Sequence, residues 1–265
     1  MIAMLEGGLE MAYDDAGTGQ PVLFIHGWPH NRTLWAAQLS GLPTHARCLA
    51  PDLRGFGGSS SSAPYSIDQY ADDLAALFGV LGIDRAVVCG VSMGGYVALS
   101  MLRRHPSLLR ALILTSTRAT ADTSDAREQR IRLIAFVRAH GVEALAGRQL
   151  KAMVGETTFE SRPDVREALR LLMAGAPLDG VVGALEAMAG RADSTDLLAG
   201  IAMPTLVVSG HEDTFTPPDE IRAMANAIPG ARLEIIQGAG HMCCYERPAA
   251  FNHVVSEFLA SLMYD

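Results

Sequence analysis

Short apolar runs rich in branched residues, each closed by a glycine or a polar turn, alternate along this chain with segments of helical periodicity. Residues 22–26, 86–89 and 205–209 have that character most sharply, and residues 112–114 and 233–236 repeat it with softer boundaries. A run so short and apolar throughout predicts a strand covered on both faces. Between such runs, Ile67, Tyr70, Leu74, Leu77, Phe78 and Leu81 fall on one face of a helix. Parallel strands need crossover connections, which this alternation supplies, so the pattern predicts an α/β fold with a mainly parallel, doubly wound sheet. Functional residues then belong beyond the carboxyl ends of strands.

From about residue 119 to residue 200 the strand pattern stops. Amphipathic stretches around 131–137, 145–154, 165–173 and 181–188 follow one another instead, which predicts a helical cap, 119–200, inserted into a core made of 1–118 and 201–265. With 265 residues, 49% of them apolar and only 19% charged, the chain has material for a sizeable core and neither a disordered tail nor a coiled coil. The 21 Lys and Arg against 29 Asp and Glu, a formal charge of −8, argue against a nucleic-acid partner. Residues 1–10 hold two acids and no base, unlike a secretory signal, and no apolar stretch approaches the roughly 18 residues of a membrane span. A soluble cytoplasmic protein with no membrane partner is expected. Cys48, Cys89, Cys243 and Cys244 show no CxxC and no paired histidine spacing, so free thiols, no metal and no cofactor are expected. No internal repeat is present, and the serines of 59–62 predict a solvated loop.

Gly90-Val91-Ser92-Met93-Gly94 stands between the apolar run 86–89 and a helical pattern over 96–104. A sharp strand-to-helix turn holds its central serine in a strained conformation with the hydroxyl projecting, and small neighbours let strand and helix approach. Serine is a weak nucleophile unless a base takes its proton, and that base needs an acid on its other ring nitrogen. His241, in Gly238-Ala239-Gly240-His241 after the run 233–236, supplies the base. The acid follows another strand end, where Gly210-His211-Glu212-Asp213 offers Asp213 first and Glu212 second. After 112–114 come Thr115, Ser116 and Thr117, with no carboxylate. A tetrahedral oxyanion needs two N–H donors. Met93 offers one and Trp28, in His26-Gly27-Trp28-Pro29 at the end of the first clear strand, the other. His26 itself reads as structural.

The order Ser92, Asp213, His241, together with these motifs, resembles the α/β-hydrolase superfamily over nearly the whole chain. Asp52-Leu53-Arg54-Gly55-Phe56-Gly57-Gly58-Ser59 is similar to that family's loop between an early strand and the next helix. Gly-Val-Ser-Met-Gly-Gly-Tyr, His105-Pro106 and the Thr-Arg-Ala-Thr-Ala-Asp of 117–122 most resemble carboxylesterases and 3-oxoadipate enol-lactonase-like hydrolases. Ser92 stands where haloalkane dehalogenases and epoxide hydrolases carry aspartate, and the lipase-type His-Gly-Gly-Gly loop is absent. His-Gly-Trp-Pro also resembles the loop of cofactor-free perhydrolases.

The resemblance implies a serine hydrolase for small-molecule esters or lactones. The alternatives are a perhydrolase or haloperoxidase-like enzyme, or a non-catalytic small-molecule receptor on the same fold, and a homo-oligomer is compatible with either. Among the remaining residues, His211 is read as a turn residue and Cys243 and Cys244 as small buried hydrophobes beside His241. Phe136, Val137, Leu150, Met153, Leu172, Met173 and Met188 are expected to pack the cap, some of them facing the serine. Arg127, Arg130, Arg132 and Arg138 are expected on a solvated helical face, the alternative being an arginine-rich cap helix that greets a carboxylate.

Overall fold

Strands β1 (Ile2–Met4), β2 (Glu10–Gly17), β3 (Gln20–Ile25), β4 (Ala46–Pro51), β5 (Ala86–Val91), β6 (Leu109–Thr115), β7 (Thr205–Gly210) and β8 (Arg232–Ile236) lie in one sheet in the order β1-β2-β4-β3-β5-β6-β7-β8. The structure is a computed structural model that describes residues 1–42, 44, 46–61 and 63–263. β1 and β2 pair antiparallel at one edge, and every pairing from β4 to β8 is parallel. The expected mainly parallel α/β architecture is therefore present, with a sheet more extensive than the sequence pattern indicates.

The helices are α1 (Ala36–Gly41), α2 (Ile67–Leu81), α3 (Met93–Arg104), α4 (Ser124–Met153), α5 (Glu156–Ser161), α6 (Pro163–Ala174), α7 (Leu178–Ala189), α8 (Thr195–Leu198), α9 (Pro218–Asn226), α10 (Cys243–Glu246) and α11 (Pro248–Ser261). Right-handed crossovers assign them to faces. The step from β3 to β4 runs towards the antiparallel edge, whereas those from β4 to β5, β5 to β6 and β7 to β8 run the other way. So α1 lies on one face, where it meets α11, and α2, α3 and α9 lie on the other. Covered on both sides, β5 has all six residues buried, and in β3 Val22, Leu23, Phe24 and Ile25 are wholly buried. Each such side chain is worth about 1.5–3 kcal/mol of burial.

The three strands the sequence pattern passes over have a common cause. β2 carries Asp14 and Asp15 and is half-exposed towards its end, β4 includes Arg47 and ends on Pro51, and β1 has three residues. None is a continuous apolar run. The serine loop also differs from expectation. Ser59 is half-buried, donates to the Asp52 carbonyl (2.7 Å) and accepts from the Ala12 amide (2.9 Å), and Ser60 Oγ accepts from the Glu10 amide (3.1 Å). These hydroxyls clamp β2, Ser61 is exposed, and Ser62 lies outside the described residues.

Between β6 and β7 the chain runs through α4 to α8. Helix α4 is broken at Gly141, whose φ of 81° and ψ of 169° lie in a region that is essentially glycine-only. The two arms fold towards one another, so that the Arg148 guanidinium comes to rest 4.7 Å from the centre of the Phe136 ring.

Candidate active site

Ser92 occupies the turn between β5 and α3 with φ 54° and ψ −115°. Two glycines permit this. A Cβ on Gly90 would stand 2.1 Å from the Gly94 carbonyl oxygen, and one on Gly94 would stand 2.2 Å from that of Ile25. The strain is held from outside. The Ser92 amide donates to the Thr115 carbonyl (2.9 Å), and Thr117 Oγ1 donates to the Ser92 carbonyl (2.8 Å). The carboxylate-free segment after β6 thus braces the turn, a role the sequence reading did not assign to it.

His241, from the glycine-rich loop after β8, brings Nε2 to 2.9 Å from Ser92 Oγ. Its Nδ1 lies 2.9 and 3.1 Å from the two carboxylate oxygens of Asp213, from the loop after β7. With Nδ1–H facing the carboxylate, Nε2 is the acceptor for the serine proton. Asp213 also accepts from the amides of Phe215 (2.9 Å) and Thr216 (3.0 Å) and from Thr216 Oγ1 (2.8 Å). Burial alone would push this carboxyl up. His241 and the Thr216 hydrogen bonds outweigh burial and hold it below the ordinary carboxylate range.

Between the two acids left open by sequence, the geometry discriminates. Glu212 turns away and accepts from the Thr157 amide (2.8 Å) and hydroxyl at the start of α5. His211 is exposed in the turn, its amide donating to the Ile236 carbonyl (2.9 Å). His26, just beyond β3, accepts at Nε2 from the Leu53 amide (3.0 Å), which leaves Nδ1 to donate to the Gly27 carbonyl. Burial pushes its imidazole pKa down, and that of fully buried His30 to about 3, so both rings are neutral.

Two main-chain donors remain uncommitted at the site. Among the described residues, neither the Met93 amide, at the first position of α3, nor the Trp28 amide donates to a protein acceptor. The Trp28 side chain reaches upwards, its indole Nε1 donating to the Val181 carbonyl of α7 (3.1 Å). The Asp52 loop is drawn inwards by its own carboxylate, which accepts from the Arg32 and Gly58 amides (both 2.7 Å).

A cavity of about 390 Å³ opens above Ser92 and His241. Trp28 and Tyr96 line its lower part, and Leu133, Met153 and Met188 its upper part. Arg130 and Arg132 line it too; Arg127, Arg132 and Arg138 are exposed as expected, and half-buried Arg130 departs from the solvated face. Asp122, also in the wall, is bound by Arg130 and Arg191. Burial would raise its carboxyl, but the two guanidinia hold it below the ordinary range. Arg191 in turn stacks on Tyr96, 4.1 Å from the ring centre.

Glu246 on α10 is a further residue that sequence reasoning missed. Its buried carboxylate accepts from the Gly240 amide (2.9 Å), next to His241, and from the Gly155 amide (2.8 Å), where α4 gives way to α5. Burial keeps the nearby cysteines in the thiol form. All four thiols are buried, and burial pushes Cys48 up to about 11 and raises Cys89, Cys243 and Cys244 further. No group of three or more His, Cys, Asp or Glu with metal-binding geometry occurs among the described residues. No single helix among them is long and apolar enough to cross a membrane.

Known proteins share this fold. The sequence model of the α/β-hydrolase fold family matches residues 20–248. A thermophilic esterase from Thermogutta terrifontis, solved with malate bound, superposes with a TM-score of 0.95 at 39% identity, covering 99% of this chain and 98% of that one. The enol-lactonase from Burkholderia xenovorans superposes with a TM-score of 0.90 at 29% identity over 98% and 100% of the two chains. The AB hydrolase superfamily protein YisY of Bacillus subtilis is 31% identical over 92% of this chain and 93% of its own.

Proposed function

The chain belongs to the α/β-hydrolase fold family, and from that membership and the contacts of Ser92 we propose that it is a serine hydrolase cleaving carboxylic esters or lactones through an acyl-enzyme. The observation that carries this reading is the run of contacts from Ser92 Oγ to His241 Nε2 (2.9 Å) and from His241 Nδ1 to Asp213 (2.9 Å). The similarity to an esterase and an enol-lactonase supports it.

In this mechanism His241 Nε2 takes the Ser92 hydroxyl proton as Oγ bonds to the substrate carbonyl carbon. The carbonyl electron pair moves onto oxygen, where the Met93 and Trp28 amides receive it. The oxyanion then collapses, the bond to the leaving oxygen breaks, and His241 returns its proton to that alkoxide. In a lactone the alcohol so formed stays tethered to the acyl group. Water next gives a proton to His241 and attacks the acyl carbon, Ser92 leaves with the proton, and the acid is released. Asp213 stays ionised throughout, orienting the imidazole and stabilising its cation. Residues 119–200 act as the cap that shapes the acyl pocket. Peroxide in place of water at the second step gives a peracid, a reading favoured by the likeness of the Trp28 loop to that of perhydrolases.

Steady-state hydrolysis of p-nitrophenyl esters from acetate to decanoate tests the proposal, with circular dichroism to confirm folding. Ser92→Ala is expected to lower kcat by about 10³-fold or more while remaining folded. Wild-type-like turnover by that variant, or none by folded wild type, counts against it. Addition of peroxide in acetate buffer measures the peracid branch.

A further inference from the structure

The chain is acidic, with a net charge of −8, yet the wall of the Ser92 cavity carries Arg118, Arg130, Arg132 and Arg148 against one carboxylate, Asp122. Three of these guanidinia have an acidic partner. Arg118 meets Glu220 (3.0 Å), Arg130 meets Asp122, and Arg132 meets Glu128 (2.6 Å). Arg148 makes no ion pair among the described residues, and its guanidinium rests on the Phe136 ring. That stacking restrains a long side chain while leaving its N–H edges available.

The placement is selective. Arg127 and Arg138 share α4 with these residues and do not line the cavity. The break at Gly141 brings the arm carrying Arg130 and Arg132 to face the arm carrying Arg148. The same wall includes Leu133, Met153 and Met188, which suit a short carbon chain. A neutral ester in its ground state has no net charge for these guanidinia to attract. An anionic one is drawn in and oriented, because a guanidinium binds a carboxylate through paired, charge-assisted hydrogen bonds.

We propose that the substrate of this site carries a carboxylate besides its scissile ester bond, and that Arg148 is the specificity residue that receives it. The inference rests on the acyl-transfer reading above. The chemical class is a half-ester of a dicarboxylic acid, with the reacting carbonyl at Ser92 and the anion at the α4 end of the cavity.

The test compares monomethyl and dimethyl glutarate, hydrolysed by wild type, Arg148→Gln and Arg148→Lys, with released acid followed by titration. Wild type is expected to favour the half-ester by about tenfold or more in kcat/KM, the scale of one charge-assisted pair. Arg148→Gln should cut that ratio by about tenfold, chiefly by raising KM for the half-ester, and Arg148→Lys should keep part of it. An unchanged ratio in Arg148→Gln, or a wild-type preference for the diester, overturns the proposal and leaves the esterase reading standing. Failure of folded wild type to hydrolyse either ester overturns both. A second measurement does not need turnover. Glutarate should bind Ser92→Ala in calorimetry with a Kd about tenfold lower than for the Ser92→Ala, Arg148→Gln double variant, and equal values overturn the proposal.

Discussion

The floor and the roof of the cavity are built by different rules. On the floor, Ser92, Asp213 and His241 stand beyond the carboxyl ends of β5, β7 and β8, and Asp213 and His241 are nearly excluded from solvent. Their neighbours are fixed by close backbone approach and by hydrogen bonds of 2.8–3.1 Å. On the roof, α4 presents long charged side chains whose ion pairs are largely solvent-facing, as with Arg138 and Glu186 at 3.6 Å, and pairs of that kind contribute little to stability. The floor is specified by what the backbone forbids and the roof by charge and shape. Damage to the floor should therefore fall on all substrates alike, and damage to the roof should distinguish among them.

The sharpest way to break that contrast is Asp213→Asn. An amide facing His241 favours the wrong tautomer, so kcat should fall about 10³–10⁴-fold with KM little changed. The loss should be the same for monomethyl and dimethyl glutarate, and unequal losses would contradict the division. Two glycines give the next test, read from urea unfolding midpoints. Gly90→Ala places Cβ 2.1 Å from a backbone carbonyl that no rotamer change can move, and should cost ~3 kcal/mol or more. Gly141→Ala meets no atom within 4 Å and carries only backbone strain, so its cost should be smaller, ~1–2 kcal/mol. Its main effect should be on the half-ester preference.

Glu246 joins floor to roof and should behave as an intermediate. In Glu246→Gln one of the Gly155 and Gly240 amides faces a donor instead of an acceptor, which should cost ~1–3 kcal/mol and lower kcat several-fold. The pH dependence has a definite sign. Burial holds this carboxyl above its ordinary value of 4.5, only partly opposed by its hydrogen bonds, so its contribution to stability is present below that value and declines as pH rises through the raised one. The deficit of Glu246→Gln should thus narrow across that window. Asp213, whose carboxyl is depressed, contributes with the opposite sign and loses its contribution as pH falls through its lowered value.

How much of this was legible in the sequence follows the same division. The strand ends carrying Ser92, Asp213 and His241 could be read because a buried parallel strand is a short apolar run and the turn after it needs small residues. The antiparallel edge could not, because β2 tolerates Asp14 and Asp15 where one side meets solvent. Thr216, Thr117 and Glu246 were missed for another reason. A hydroxyl or carboxylate carries no signal of its own until the topology sets it beside a particular amide. The bend in α4 was visible only as two separate amphipathic stretches, since Gly141 in sequence does not announce which way the arms fold.

Trp28 gives the two regions a direct mechanical link. Its indole is tied to the Val181 carbonyl of α7 while its own amide lies uncommitted, so a guest that lifts the roof also tugs on the donor that the acyl-transfer proposal assigns to the oxyanion. Under the acyl-transfer reading, oversized acyl groups are then turned away by slow chemistry after they bind, and poor fit registers as a lower kcat more than as a weaker KM.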